Sequence, residues 1–135
     1  MLDQYNEVLK WNTVFGHISD NTPKKWESDA EYRNLAIDLI QEEVDELKLA
    51  VHNKDKVETL DAVLDILVTT FGLAGKASIG PELLLEGFNE VMRANWSKAD
   101  KDGNPVFLPS GKIAKSELYV APNLHKIVEK GSHNE

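Results

Sequence analysis

The chain has 135 residues, enough for one domain with a real core, and its 41% hydrophobic and 28% charged content is that of an ordinary soluble protein. It has no cysteine, which excludes disulfides and thiolate metal sites and points to a reducing, cytoplasmic compartment. A net charge of −8 argues against a nucleic-acid polymer as partner. No apolar run approaches the roughly 20 residues of a membrane span, and the opening MLDQYNEVLKWN lacks the basic start and apolar core of a secretory signal, so no membrane partner is expected.

Taken in order, residues 3–18 predict a modest helix with Tyr5, Val8, Leu9, Trp11 and Phe15 as its apolar positions. Trp11 and Phe15 share a face, either as core packing or as a platform on which a base stacks. His17 has no metal-ligand partner at a useful spacing and reads as a surface or capping residue. The linker SDNTPKKWES is polar and broken by Pro23. Ser28 and Glu31 then form a capping box that starts a second helix near Asp29, running to about His52. At about 100° per residue, Tyr32, Leu35, Ala36, Leu39, Leu47 and Ala50 fall within one arc of about 120°. Ile37, Ile40, Val44 and Val51 form a second apolar side, which suits a central position or a subunit interface.

A third helix is predicted over roughly Lys56 to Lys76. Between Thr59 and Gly75 its only charged residues are Asp61 and Asp65, so it should be buried almost all round. The short break HNKDK makes the second and third helices an antiparallel hairpin. Ser78-Ile79-Gly80-Pro81 is a helix stop with Pro at the next first helical position. The fourth helix runs to about Ala99 with Leu84, Phe88, Val91 and Met92 on its apolar face. Asn95 falls inside that stripe and Lys98 on its edge: Asn95 is a satisfied core amide or, with Lys98, a contact for phosphate or sugar. DKDGNP, VFL, PSG and KIAKSEL then read as turn, strand, turn and strand, a small hairpin over 100–118, followed by a flexible tail at 126–135. Asp100-Lys101-Asp102-Gly103 is a turn, since the closing glutamate of a calcium loop is missing.

The acids carry the chemistry. Glu43 and Glu46 lie inside the apolar arc of the second helix, whereas Asp45 points away. Asp61 and Asp65 occupy one strip about 40° wide, flanked by apolar residues. With the turn centred near Asn53–Lys54, Glu46 is level with residues 61–62 and Glu43 with Asp65. Burying an unpaired carboxylate costs several kcal/mol or neutralises it, and neither helix offers Lys or Arg at this level. Glu43, Glu46, Asp61 and Asp65 are therefore the expected metal ligands. All-oxygen ligation selects a hard cation, Mg2+ by default with Mn2+ as substitute. Glu58 points the same way, about one turn nearer the loop, and is the weaker candidate. The non-catalytic alternative is a helical oligomerisation module whose acids grip a basic partner.

The series Glu42-Glu43-x-x-Glu46-Leu47, then Asp61-Ala62-x-x-Asp65-Ile66, Gly72-x-Ala74, Phe88-x-x-Val91 and Asn95-x-x-Lys98 resembles the MazG-like all-α nucleoside triphosphate pyrophosphohydrolases. That superfamily, with its ExxE and ExxD signature, includes MazG proteins, dimeric dUTPases and phosphoribosyl-ATP pyrophosphohydrolase. The D-x-D-G-N-P segment is similar to that of small phage-type members, and the resemblance covers about residues 5–125. It implies a four-to-five-helix bundle with a small C-terminal β-hairpin, one domain over 1–125, and a dimer or tetramer. It also implies hydrolysis of a (d)NTP to the monophosphate and pyrophosphate, or of phosphoribosyl-ATP. Glu42 would then activate water, Asn95 and Lys98 would contact substrate, and Trp11 or Phe15 would stack on the base. The chain departs from the pattern at Ala62, where the level across the hairpin calls for the second motif's glutamate. Asp61 takes its place one residue earlier, and a literal ExxD also runs from Glu58 to Asp61.

Overall fold

The structure, a computed structural model, describes residues 2–133. Among these residues it is all-α, with six helices and no strand. No single helix is long and apolar enough to cross a membrane. The chain forms two compact units, Met1–Gly80 and Pro81–Glu135.

The first unit holds α1 (Leu2–Val14), α2 (Thr22–Ser28), α3 (Ala30–His52) and α4 (Lys56–Lys76). α2 lies in the stretch expected to be linker. Pro23 sits in its first turn, where a missing N–H breaks no helical bond, so the residue starts a helix instead of interrupting one. The cap of α3 is one residue later than the capping-box reading: Asp29 accepts the Tyr32 N–H at 3.2 Å. Ser28 instead ends α2 and donates to the Lys24 carbonyl. α3 and α4 form the expected hairpin. Lys54 turns the chain at φ 56°, and Asp55 restarts it by accepting the Glu58 N–H at 3.1 Å. Ala36, Ala50, Ala62 and Ala74 are all buried, and such small side chains let helix backbones approach closely.

α1 packs on the C-terminal half of α4. Tyr5 is 0% exposed, meets Phe71 edge-on at 5.1 Å, and donates its hydroxyl to the Ile79 carbonyl at 2.6 Å. Burial pushes that hydroxyl's pKa up to about 12. A Cβ on Gly75 would lie 2.5 Å from Leu9 Cδ2 and 2.7 Å from Ile18 Cδ1, so any side chain here would force those two to shift. The N-terminal half of α4 is different. Val57, Leu60, Val63, Leu64, Leu67 and Val68 are between 38% and 74% exposed. The expectation of burial all round therefore fails within one chain, because α1 is too short to cover both halves. Trp11 and Phe15, at 48% and 64% exposed, pair with each other at 5.3 Å on the surface and not in the core.

The second unit contains α5 (Pro81–Trp96) and α6 (Leu124–His133). The expected β-hairpin between them is not formed. Phe107 and Ile113 make one isolated antiparallel bridge, closed by Gly111 at φ 85°. Pro105 and Pro109 bracket the first arm and lack the N–H that a longer ladder needs. Asp100 accepts the N–H groups of Asp102 and Asn104, each at 2.9 Å, which makes this a turn as the sequence implied. α6 occupies most of the expected tail. Leu124, Ile127, Val128 and Gly131 recur at helical spacing, and Asn123 caps the helix by accepting the Lys126 N–H. Asn134 and Glu135 lie outside the described residues.

An ion pair secures the segment entering α6. Arg93 grips Glu90 at 2.9 and 3.0 Å and donates to the carbonyls of Val120 and Ala121. Glu90 also accepts the Asn123 N–H. The Arg93 hydrogen bond foremost, then that of Asn123, pull the Glu90 pKa down to about 2. A depressed carboxyl stabilises the fold above its unfolded pKa, and the effect is lost as pH falls through the folded one. A carbon-detected NMR titration should therefore find Glu90 ionised until about pH 2, and Arg93→Met should return its midpoint to the ordinary carboxylate range. In the first unit, Tyr5→Phe leaves the Ile79 carbonyl unpaired and should cost about 1–3 kcal/mol in denaturant unfolding.

Candidate metal centre

Glu43 and Glu46 stand one turn apart on α3, and Asp65 reaches them from α4. One carboxylate oxygen of each lies within 4.8 Å of the others. Glu43 and Asp65 are half-buried and Glu46 is exposed, so the cluster opens to solvent on one side. The hairpin dictates this arrangement, since antiparallel helices joined by a tight turn bring residues 43–46 level with residue 65. Asp65 alone joins the two glutamates, where the sequence expected Asp61 level with Glu46 and Asp65 level with Glu43. Asp61, one turn nearer the loop, is exposed and outside the cluster, as is Glu58.

The electrostatics of the triad are unbalanced. The Oε2 atom of Glu43 is buried and has no hydrogen-bond partner. Burial raises the Glu43 pKa first, followed by the charges of Glu46 and Asp65, the close Glu46 carboxyl and the charge of Glu42. Every cause has the same sign. Among the described residues no Lys or Arg forms an ion pair with any of the three acids. A divalent cation suits such a group: it supplies the partner that Oε2 lacks and offsets the mutual repulsion, and three carboxylates are ligands of the type that hard cations take.

The other expected residues are placed as follows. Glu42 is exposed beside the triad on α3. Asn95, near the end of α5, is exposed, with its Nδ2 3.8 Å from Met92 Sδ, so its reading as a core amide fails. Lys98 follows α5 and is half-buried. Both belong to the second unit, whereas the triad belongs wholly to the first. A concavity lined by Glu46, Leu49, Ala50, Asn53, Asp55 and Glu58 adjoins the triad through Glu46. Leu49 drew no attention in the sequence, and Asn53 only as the centre of the turn; the signal was that the far side of Glu46 faces the hairpin loop.

If repulsion and burial govern Glu43, Glu43→Gln should raise the thermal stability of the metal-free protein while abolishing its rise with added magnesium. Thermal unfolding with and without chelator measures both.

Comparison with known proteins places these residues in a family context. The sequence model of the phosphoribosyl-ATP pyrophosphohydrolase family matches residues 8–95, which include the whole triad and Asn95 but stop short of Lys98. An uncharacterised protein of Acanthamoeba polyphaga mimivirus is 37% identical over 131 residues, an alignment that covers 93% of this chain and 48% of the viral protein. The chain thus spans about half the length of that curated relative.

Proposed function

This chain belongs to the phosphoribosyl-ATP pyrophosphohydrolase family, within the MazG-like all-α nucleoside triphosphate pyrophosphohydrolase superfamily, and we propose that it hydrolyses a (d)NTP to the monophosphate and pyrophosphate with Mg2+. The observation that carries the reading is the partnerless, buried Oε2 of Glu43 within a three-carboxylate cluster. A bound cation would give that atom the partner it lacks and offset the repulsion within the cluster.

Glu43, Glu46 and Asp65 would hold the cation, and Asp61, one turn nearer the loop on α4, is assigned as a further ligand when substrate is present. Bound there, Mg2+ would neutralise phosphate charge and stabilise the leaving pyrophosphate. The chain's own groups do the rest. Glu42 is exposed next to the triad and is assigned to orient the attacking water and take its proton. The water oxygen bonds to the α-phosphorus, the bond from that phosphorus to the bridging oxygen breaks, and the bridging oxygen leaves as part of pyrophosphate. Asn95 and Lys98 are assigned to the phosphate or sugar, and Trp11 or Phe15, both solvent-facing, to the base. Self-association into a dimer or tetramer is supported by the exposed apolar half of α4, a patch of the kind that marks interaction surfaces.

Phosphoribosyl-ATP is the second reading, favoured by the family whose sequence model matches. A panel of NTPs, dNTPs and phosphoribosyl-ATP, scored by pyrophosphate release with magnesium, manganese or chelator, separates the substrates. Glu46→Gln should lower the rate on the best substrate by more than about 100-fold, since even groups that only support a metal ligand cost 10–100-fold when changed. Turnover by that variant at the unaltered rate would refute the mechanism.

A further inference from the structure

At the end of the α3–α4 hairpin remote from its loop lies a cluster of opposite sign. Lys76, in the last turn of α4, is only 4% exposed. Its ammonium makes no ion pair with a carboxylate among the described residues. Its recorded contact is with the ring of Tyr32, 5.7 Å from the centroid. Lys25 of α2 brings a second ammonium to the same ring, also at 5.7 Å. Tyr32 is held in place, its hydroxyl donating to the His17 carbonyl at 2.7 Å. Tyr32 lies eleven residues before Glu43, and Lys76 eleven residues after Asp65, which is about 16 Å along each helix. The cluster is therefore separate from the metal centre.

A ring quadrupole attracts a cation and the C-terminus of α4 favours one, but neither explains two ammonium groups at one ring in a chain of net charge −8. Burial of Lys76 works against its charge and lowers its pKa. A bound anion would reverse that balance, and Lys25, which is exposed, offers a second ammonium to it from beside the same ring. Ammonium groups presenting several donors to a compact oxyanion are a common means of gripping phosphate.

We propose that Lys76 and Lys25, flanking Tyr32, form a binding site for a phosphate-class anion at the end of the hairpin opposite the metal centre. Free phosphate or pyrophosphate and the phosphate of a nucleotide share this chemistry. The site does not depend on catalysis at the triad, and its test runs without divalent cations so that the two can fail independently.

The full chain is titrated in EDTA with inorganic phosphate, pyrophosphate or a nucleoside monophosphate, at ionic strength held constant with chloride. Binding is read by calorimetry and by amide shifts at Tyr32 and Lys76. Saturable binding should appear and weaken about tenfold or more in Lys76→Met, with a smaller loss in Lys25→Met. Lys76→Met removes the charge and keeps most of the apolar stem, so it should fold at least as stably as the parent. A preference for the inorganic anions identifies a free-anion site, and a preference for the monophosphate identifies a nucleotide's phosphate as occupant. No saturable binding, or binding unchanged in Lys76→Met, overturns the proposal, as do shifts confined to residues 43–65.

Discussion

The mutual repulsion of three carboxylates on a closely packed helix hairpin is the constraint around which the first unit is arranged. Glu43 suffers it most, because its Oε2 is buried without a partner while Glu46 and Asp65 crowd it. Such a group is costly while ionised, and either a proton or a cation bound from outside relieves it. The tight α3–α4 turn and the alanines between the helices set the level at which the acids meet. The α1 contact, anchored by Tyr5 and fitted around Gly75, keeps α4 in place.

The exposed half of α4 belongs to the same logic. A helix with so few charges buries its apolar surface wherever it can, and α1 covers only the C-terminal part. The remaining Val and Leu side chains leave an exposed apolar face beside the turn that carries Asp61. The basic cluster around Tyr32 gives the other end of the hairpin a charge of opposite sign, and an anionic ligand would meet different chemistry at its two ends.

Much of this was legible in the sequence, and particular residues show why. The acids at Glu43, Glu46 and Asp65 broke an apolar pattern, and levelling the two helices across Asn53–Lys54 brought them together as the structure does. Helix ends at His52, Lys56, Lys76 and Pro81 followed from a short polar loop and a proline. Asp61 was harder to place, because a 40° difference around a helix decides between facing the partner helix and facing solvent. Pro23 was misread because the same residue breaks a helix interior and begins a first turn. Pro105 and Pro109 limited a hairpin that alternation alone suggested. The apolar run of α4 predicted burial all round, and that expectation fails because apolar content alone does not say how much of a helix its neighbours cover.

The central claim is that Glu43, Glu46 and Asp65 hold a divalent cation. Anomalous diffraction from crystals grown with manganese tests it most directly. The account predicts a strong peak about 2.0–2.6 Å from an oxygen of each of these three carboxylates, with Glu43 Oε2 among the ligands. A peak ligated elsewhere, or none at the triad under saturating manganese, would contradict it.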